Sequence, residues 1–226
     1  MIEILKLTKR YGDFTAVDDI DLVVPRGELF GFLGPNGAGK TTTLRMIAGI
    51  LKPTSGTIKV AGVDVAADPI TAKSKLGFIP DRPFIYEKLT GAEFLRFEWR
   101  DELVESYSHG MRQKLIISSA FVHRPEVIVV DEPMVGLDPK AARILKDLFR
   151  EYTRRGHTII FSTHTLEVAE SLCDRLAIIV NGKIKAYGTM ADLRRDLQGG
   201  ERGLEEIFLR LTGENAARNL VDVLDA

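Results

Sequence analysis

The stretch GPNGAGKTT (34–42) carries the spacing G-x-x-x-x-G-K-[ST], which is chemistry for a polyphosphate. Gly34, Gly37 and Gly39 let the backbone curl until several N–H groups point inward at phosphate oxygens. A helix opening at this point adds its positive end to the field. Lys40 reaches the β- and γ-phosphates, the Thr41 hydroxyl is a hard oxygen ligand for Mg2+, and Thr42 donates to a phosphate. Asn36, inside the loop, joins the candidate phosphate-binding set. The plainer reading is a glycine-rich turn that only caps a helix.

A second group of reactive side chains follows an apolar run. VIVVDE (127–132) sets Asp131 and Glu132 at the end of a buried strand, and alternation sends them to opposite sides. Asp131 suits the surroundings of Mg2+, while Glu132 can orient and deprotonate an attacking water. The alternative is a strand simply meeting solvent. FSTH (161–164) ends a neighbouring strand in His164, at the carboxyl edge where open α/β sheets gather ligands; it can hydrogen-bond a γ-phosphate. Asp138, in GLD (136–138), stands before Pro139 as a good N-cap; a cap and a ligand contact are compatible there.

The segment ESYSHGM (105–111) precedes a run with helical periodicity, MRQKLIISSAF. Ser108 beside His109 suggests a nucleophile and base, but adjacent residues rarely form such a pair. Ser108 as a helix cap is the simpler reading. A second bare helix start is also a second anion site, with Ser108 and the Gly110 backbone as its contacts.

These residues need a scaffold of strands ending near helix starts. Strand-like segments fall at 2–7, 14–24 and 28–34, a helix at 39–50, and a short strand pair at 56–65. EVIVVDEP (126–133) and GHTIIFSTH (156–164) are short continuous apolar runs, as central parallel strands are when both faces are buried. An amphipathic helix spans 139–155 between them, a hairpin turns at Asn181-Gly182, and a last amphipathic helix covers 203–211. The fold class is α/β: a P-loop NTPase with a mostly parallel core sheet and an N-terminal antiparallel β subdomain.

With 226 residues, 45% hydrophobic, the chain has material for one globular domain. A formal net charge of −1 provides no bulk polycation for nucleic acid, so an anion must be held locally. Cys173 is the only cysteine, which excludes an intrachain disulfide and suits a buried apolar role better than a reactive thiol. MIEILKLTKRYG alternates like a strand and lacks the apolar core of a signal peptide. No run approaches the ~18 apolar residues of a spanning helix.

Taken in order, the segments resemble the nucleotide-binding subunit of an ATP-binding cassette (ABC) transporter. GPNGAGKTT stands as Walker A, YSHGM as the signature, VIVVDEP as Walker B, GLD as the D-loop and STH as the switch histidine. Tyr11 in KRYG falls where the family stacks an aromatic on adenine. The resemblance implies ATP and Mg2+ as cofactors and ATP hydrolysis as the activity. It also implies a head-to-tail dimer, of two copies or with a paralogous cassette, in which Ser108 and Gly110 touch the other protomer's ATP. A membrane-spanning transporter subunit is the implied partner, nucleic acid is not, and the place is the cytoplasmic face of the cell membrane. The tail GLEEIFLRLTG (203–213) resembles export-type subunits. The alternative is a soluble cassette working on nucleic acid or ribosomes; those relatives usually carry two cassettes or long inserted arms, and this chain has neither.

The chain departs from the family pattern at two places. GFIPDRP (77–83) puts Asp81 where the family usually has a glutamine, and Asp81 is expected to keep a Mg2+ contact. From Lys40 to Ser108 the chain counts 68 residues, several tens short of the family's helical subdomain. Either the subdomain is truly trimmed or a segment is omitted; the second predicts a discontinuity between Phe97 and Asp101, first at Phe97–Glu98. The expected division is a core of 1–76 and 124–190, a shortened helical and signature subdomain of 77–123 lacking residues near 97–101, and a helical tail of 191–226.

Overall fold

The structure, a computed structural model, describes residues 1–81, 106, 109–134, 137–196 and 203–213. Ser108, Gly136, the Phe97–Asp101 stretch and much of the expected 77–123 subdomain lie outside the described residues.

Four strands form a mostly N-terminal antiparallel sheet: β1 (Ile2–Tyr11), β2 (Phe14–Val24), β4 (Ser55–Val60) and β5 (Val63–Asp64), in the order β2-β1-β4-β5. The main sheet holds β3 (Leu29–Leu33), β6 (Leu76–Ile79), β7 (Val127–Val130), β8 (Thr158–Thr163), β9 (Arg175–Val180) and β10 (Lys183–Gly188), in the order β10-β9-β3-β8-β7-β6. All its neighbours pair in parallel except the β9–β10 hairpin. That hairpin turns through Asn181 (φ 49°) and Gly182 (φ 75°), as the Asn-Gly pair requires.

The fully apolar strands are buried on both faces. On one side Phe30, Phe32, Val127, Val129 and Ile160 pack with β1, β2 and helix α1 (Lys40–Ile47). On the other, Ile79, Ile128, Val130, Ile159 and Phe161 meet α3 (His109–Phe121) and α4 (Pro139–Arg154). Helix α4 starts at Asp138, whose Oδ1 accepts from the Ala141 N–H at 2.9 Å, with Pro139 at the first helical position. Its Leu145 and Phe149, four residues apart on one face, are buried, at roughly 1.5–3 kcal/mol each.

Three short elements escaped the sequence reading, β6, α2 (Pro69–Ser74) and α5 (Leu166–Leu172), while α6 (Met190–Asp196) opens the expected helical tail. Strand β6 corrects the division at residue 77: Gly77–Ile79 pair in parallel with Ile128–Val130 and belong to the core sheet. Ile116 and Ala120 of α3 pack in the same core, on the face of β6, where a Cβ at Gly77 would stand 2.5 Å from the Ala120 carbonyl oxygen. Leu193, Leu204 and Ile207, from α6 and α7 (Leu204–Thr212), are buried against Leu176 and Ile178.

Candidate functional site

The phosphate loop joins β3 to α1 and is braced by backbone from two other elements. Gly39 has φ 106°, and a Cβ there would stand 2.5 Å from the Ala16 carbonyl oxygen of β2. Gly34 has no positive φ; its need is contact, since a Cβ would collide with the Ile179 carbonyl oxygen. The hairpin tip closes the brace: the Gly182 N–H donates to Ala38 O at 3.0 Å, and Gly182 O accepts from the Asp18 N–H at 2.9 Å. The role of this hairpin is missed by sequence reasoning, because only the fold brings residue 182 to the loop. Helix α1 opens at Gly39 with no side-chain cap, so its first N–H groups face the cleft.

Lys40 is buried, and its ammonium donates to Gly34 O at 2.7 Å and Pro35 O at 3.2 Å. It also pairs with Glu132 Oε1 at 3.5 Å. The second Glu132 oxygen, Oε2, lies 3.1 Å from His164 Nδ1. Three residues from separate parts of the chain thus form one line from phosphate loop to switch histidine.

Asp131 is buried, and its Oδ1 accepts from the Thr41 hydroxyl at 3.1 Å and the Ser162 hydroxyl at 2.6 Å. The expectation that Asp131 and Glu132 diverge to opposite sides needs correction. Strand β7 ends at Val130, and Glu132 adopts φ 51°, a left-handed conformation costing roughly 1–2 kcal/mol. The turn brings both carboxylates to the start of α1.

A cleft of about 340 Å3 is lined by Tyr11, Phe14, Ala16, Pro35, Asn36, Gly37, Gly39, Lys40, Thr41, Thr42, Asp81 and Glu132. A larger cleft of about 400 Å3 lies elsewhere, between the end of α1 and β4, and holds none of the reactive side chains. Tyr11 is half-exposed at the mouth, with Lys9 Nζ 5.0 Å from its ring centre. Phe14 and Ala16 also line the site and are missed by sequence reasoning; Phe14 pairs with Tyr11 across the β1–β2 turn, which is the signal that could have found it.

Thr41, Asp81 and Asp131 supply only oxygen donors, as a hard divalent cation prefers. Among the described residues no three His, Cys, Asp or Glu side chains cluster as a metal cage. The chemistry of this oxygen-only set fits a hard cation such as Mg2+.

Gly110 lies in the first turn of α3 and does not line the cleft; a Cβ there would meet nothing within 4 Å. Asp138 caps α4, as expected, and is likewise absent from the cleft lining. Cys173 packs beside Gly31, and burial, with the Asp174 charge, pushes its thiol pKa well up.

Comparison with known proteins follows the same lines. The family profile described as ABC transporter matches residues 17–135. The linearmycin resistance ATP-binding protein LnrL of Bacillus subtilis is 34% identical, over 92% of this chain and 78% of its own length. The Nod factor export ATP-binding protein I of Ralstonia nicotianae is 38% identical, over 83% of this chain and 66% of its own. A solved structure of an ATP-binding subunit of an ABC transporter superposes with TM-score 0.89 at 33% identity, covering 94% of this chain and all of that one.

Proposed function

The chain belongs to the ABC transporter family as an ATP-binding, ATP-hydrolysing subunit, and from that membership we propose how its residues do this work and what they drive. The phosphate loop and the start of α1 hold the triphosphate, Lys40 meets the β- and γ-phosphates, and Tyr11 stacks on the base. Thr41, Asp131 and Asp81 hold Mg2+, which when bound neutralises developing charge on the phosphates.

Glu132 is the general base. Its carboxylate lies between Lys40 and His164, beside the place where a γ-phosphate would reach. It takes the proton of the attacking water, while Lys40 and the loop N–H groups stabilise the charge spread over the transferring phosphoryl oxygens. His164 holds the far oxygen of Glu132 and contacts the γ-phosphate. The observation that carries this reading is Glu132, which lines the cleft with Lys40, pairs with it at 3.5 Å and is held from behind by His164 at 3.1 Å.

The signature helix start is half of a second site. By the family resemblance, Ser108 and Gly110 serve the ATP of another protomer, with Asp138 near the same junction. ATP favours such a head-to-tail dimer only through contacts present when it is closed. Closure moves a separate membrane-spanning subunit at the cytoplasmic face of the membrane. Among the described residues no helix is long and apolar enough to cross a membrane. The names of the two relatives, a resistance and an export protein, support an exporter.

The test is Glu132→Gln with MgATP. The variant should bind ATP, lose at least ~100-fold in hydrolysis and sediment as a dimer, while the parent remains largely monomeric at steady state. Parental turnover in Glu132→Gln removes Glu132 as the base. A hydrolysis-deficient variant that stays monomeric at high concentration removes the dimer. Co-purification of a hydrophobic multi-span protein from native membranes checks the transporter partner.

A further inference from the structure

Ser162 sits inside β8, fully buried, one residue before Thr163 ends the strand. Its hydroxyl oxygen lies 2.6 Å from Asp131 Oδ1 and 3.0 Å from the Glu132 backbone nitrogen. The proton positions follow from chemistry. The Glu132 N–H can only donate, so the serine oxygen accepts there. The Asp131 carboxylate accepts, so the serine proton goes to it.

Beyond Val130 the parallel ladder between β7 and β8 ends, its last pair being Val130 with Phe161. The bonds of Ser162 take over where the ladder stops. One bond fixes the carboxylate that also accepts from Thr41, and the other holds the peptide whose φ of 51° swings Glu132 into the cleft. We propose that Ser162 is a positioning residue for ATP hydrolysis, setting the metal-side carboxylate Asp131 and the base Glu132 together through one buried hydroxyl. The proposal rests on the roles given above to Asp131 and Glu132. The required group is one that donates and accepts at once, which alanine cannot do and threonine can.

Ser162→Ala tests it in the full chain. It removes a bond to a charged carboxylate and leaves the Glu132 N–H without its acceptor, at almost no change in volume. The expected result is a kcat lowered about 10- to 100-fold and a several-fold rise in the Mg2+ concentration giving half-maximal rate. The affinity for ATP measured without Mg2+ should stay within about twofold, because the Ser162 hydroxyl bonds to Asp131 and the Glu132 N–H and acts through them. Ser162→Thr, if its melting temperature stays parental, should recover most of the rate; if it does not fold, the kcat and Mg2+ readings of Ser162→Ala decide.

Glu132→Gln, measured alongside, separates the two readings. If it hydrolyses ATP normally, the assignment of the base fails and the serine's role falls with it. If it is inactive while Ser162→Ala keeps parental kcat and Mg2+ dependence, the serine proposal is overturned. A folded Ser162→Thr as slow as Ser162→Ala also overturns it. A purely structural role would lower the melting temperature and leave kcat and the Mg2+ dependence of the folded protein unchanged.

Discussion

Lys40 Nζ and Glu132 Oε1 stand 3.5 Å apart at largely buried positions, so the ammonium proposed to bind phosphate is paired with the carboxylate proposed as the base. Charges this close and this shielded interact by about 5 kcal/mol at an effective dielectric of ~20. A triphosphate entering the cleft meets the same carboxylate as a repulsive neighbour. Glu132→Gln should therefore bind a non-hydrolysable ATP analogue about tenfold more tightly than the parent, by calorimetry at saturating Mg2+. Equal affinity would mean that the carboxylate does not oppose the nucleotide.

Gly39 is constrained twice, by φ 106° and by the Ala16 carbonyl oxygen, which lies 2.5 Å from the point a side-chain methyl would occupy. Gly39→Ala should destabilise the fold by about 1–3 kcal/mol and abolish measurable ATP binding, because the loop and β2 must separate. Thermal melting and equilibrium dialysis check both halves. A stable variant with parental affinity would show that the loop is not braced by β2.

Tyr11 stands half-exposed at the cleft mouth, where a purine can stack on it. Tyr11→Ala should weaken ATP binding about 3- to 10-fold while Tyr11→Phe binds as the parent does, since stacking needs the ring and not the hydroxyl. Fluorescent-nucleotide titration distinguishes the outcomes, and equal affinity in the alanine variant refutes the base contact.

Asp81 lines the cleft beside Thr41, Thr42 and Glu132. Asp81→Ala should raise the Mg2+ requirement for ATP hydrolysis several-fold, with little change in rate at saturating Mg2+. Activity indistinguishable from the parent at limiting Mg2+ would count against a metal role.

The Cys173 thiol has its pKa pushed up, first by burial and then by the Asp174 charge. The folded state therefore holds this proton where the unfolded chain, with an ordinary thiol near 8.5, releases it. The stabilising contribution is full below that value and is lost as pH rises through and above it. Native protein at pH 8.5 should react with iodoacetamide at least ~10-fold more slowly than in denaturant, and this single cysteine makes the count unambiguous. Equal rates would place the thiol in solvent.

The chemistry was legible in the sequence wherever it demands particular residue types in a fixed local order. The phosphate loop, Asp131 with Glu132, and His164 each belong to a strand end whose apolar run is visible in one dimension; the structure links them by hydrogen bonds and an ion pair, Thr41 to Asp131, Lys40 to Glu132 and Glu132 to His164. Strand β6 was not legible, because the four residues LGFI run straight into Pro80 and are too short to show a period. The convergence of the two carboxylates was hidden for another reason. Alternation holds only within a strand, and Glu132 lies past its end with φ 51°. Ser162 gave no signal, being a small polar residue within an apolar strand whose partners lie about thirty positions away.

Strand β6 has a mechanical consequence. The Asp131 N–H donates to Ile79 O at 2.8 Å, and Ile79 pairs with Val130 in the parallel ladder. Asp81 follows two residues later. The end of β6 is thus tied directly to Asp131, so Asp81, two residues on, cannot part from Asp131 without breaking or straining that bond. Leverage and chemistry share one joint.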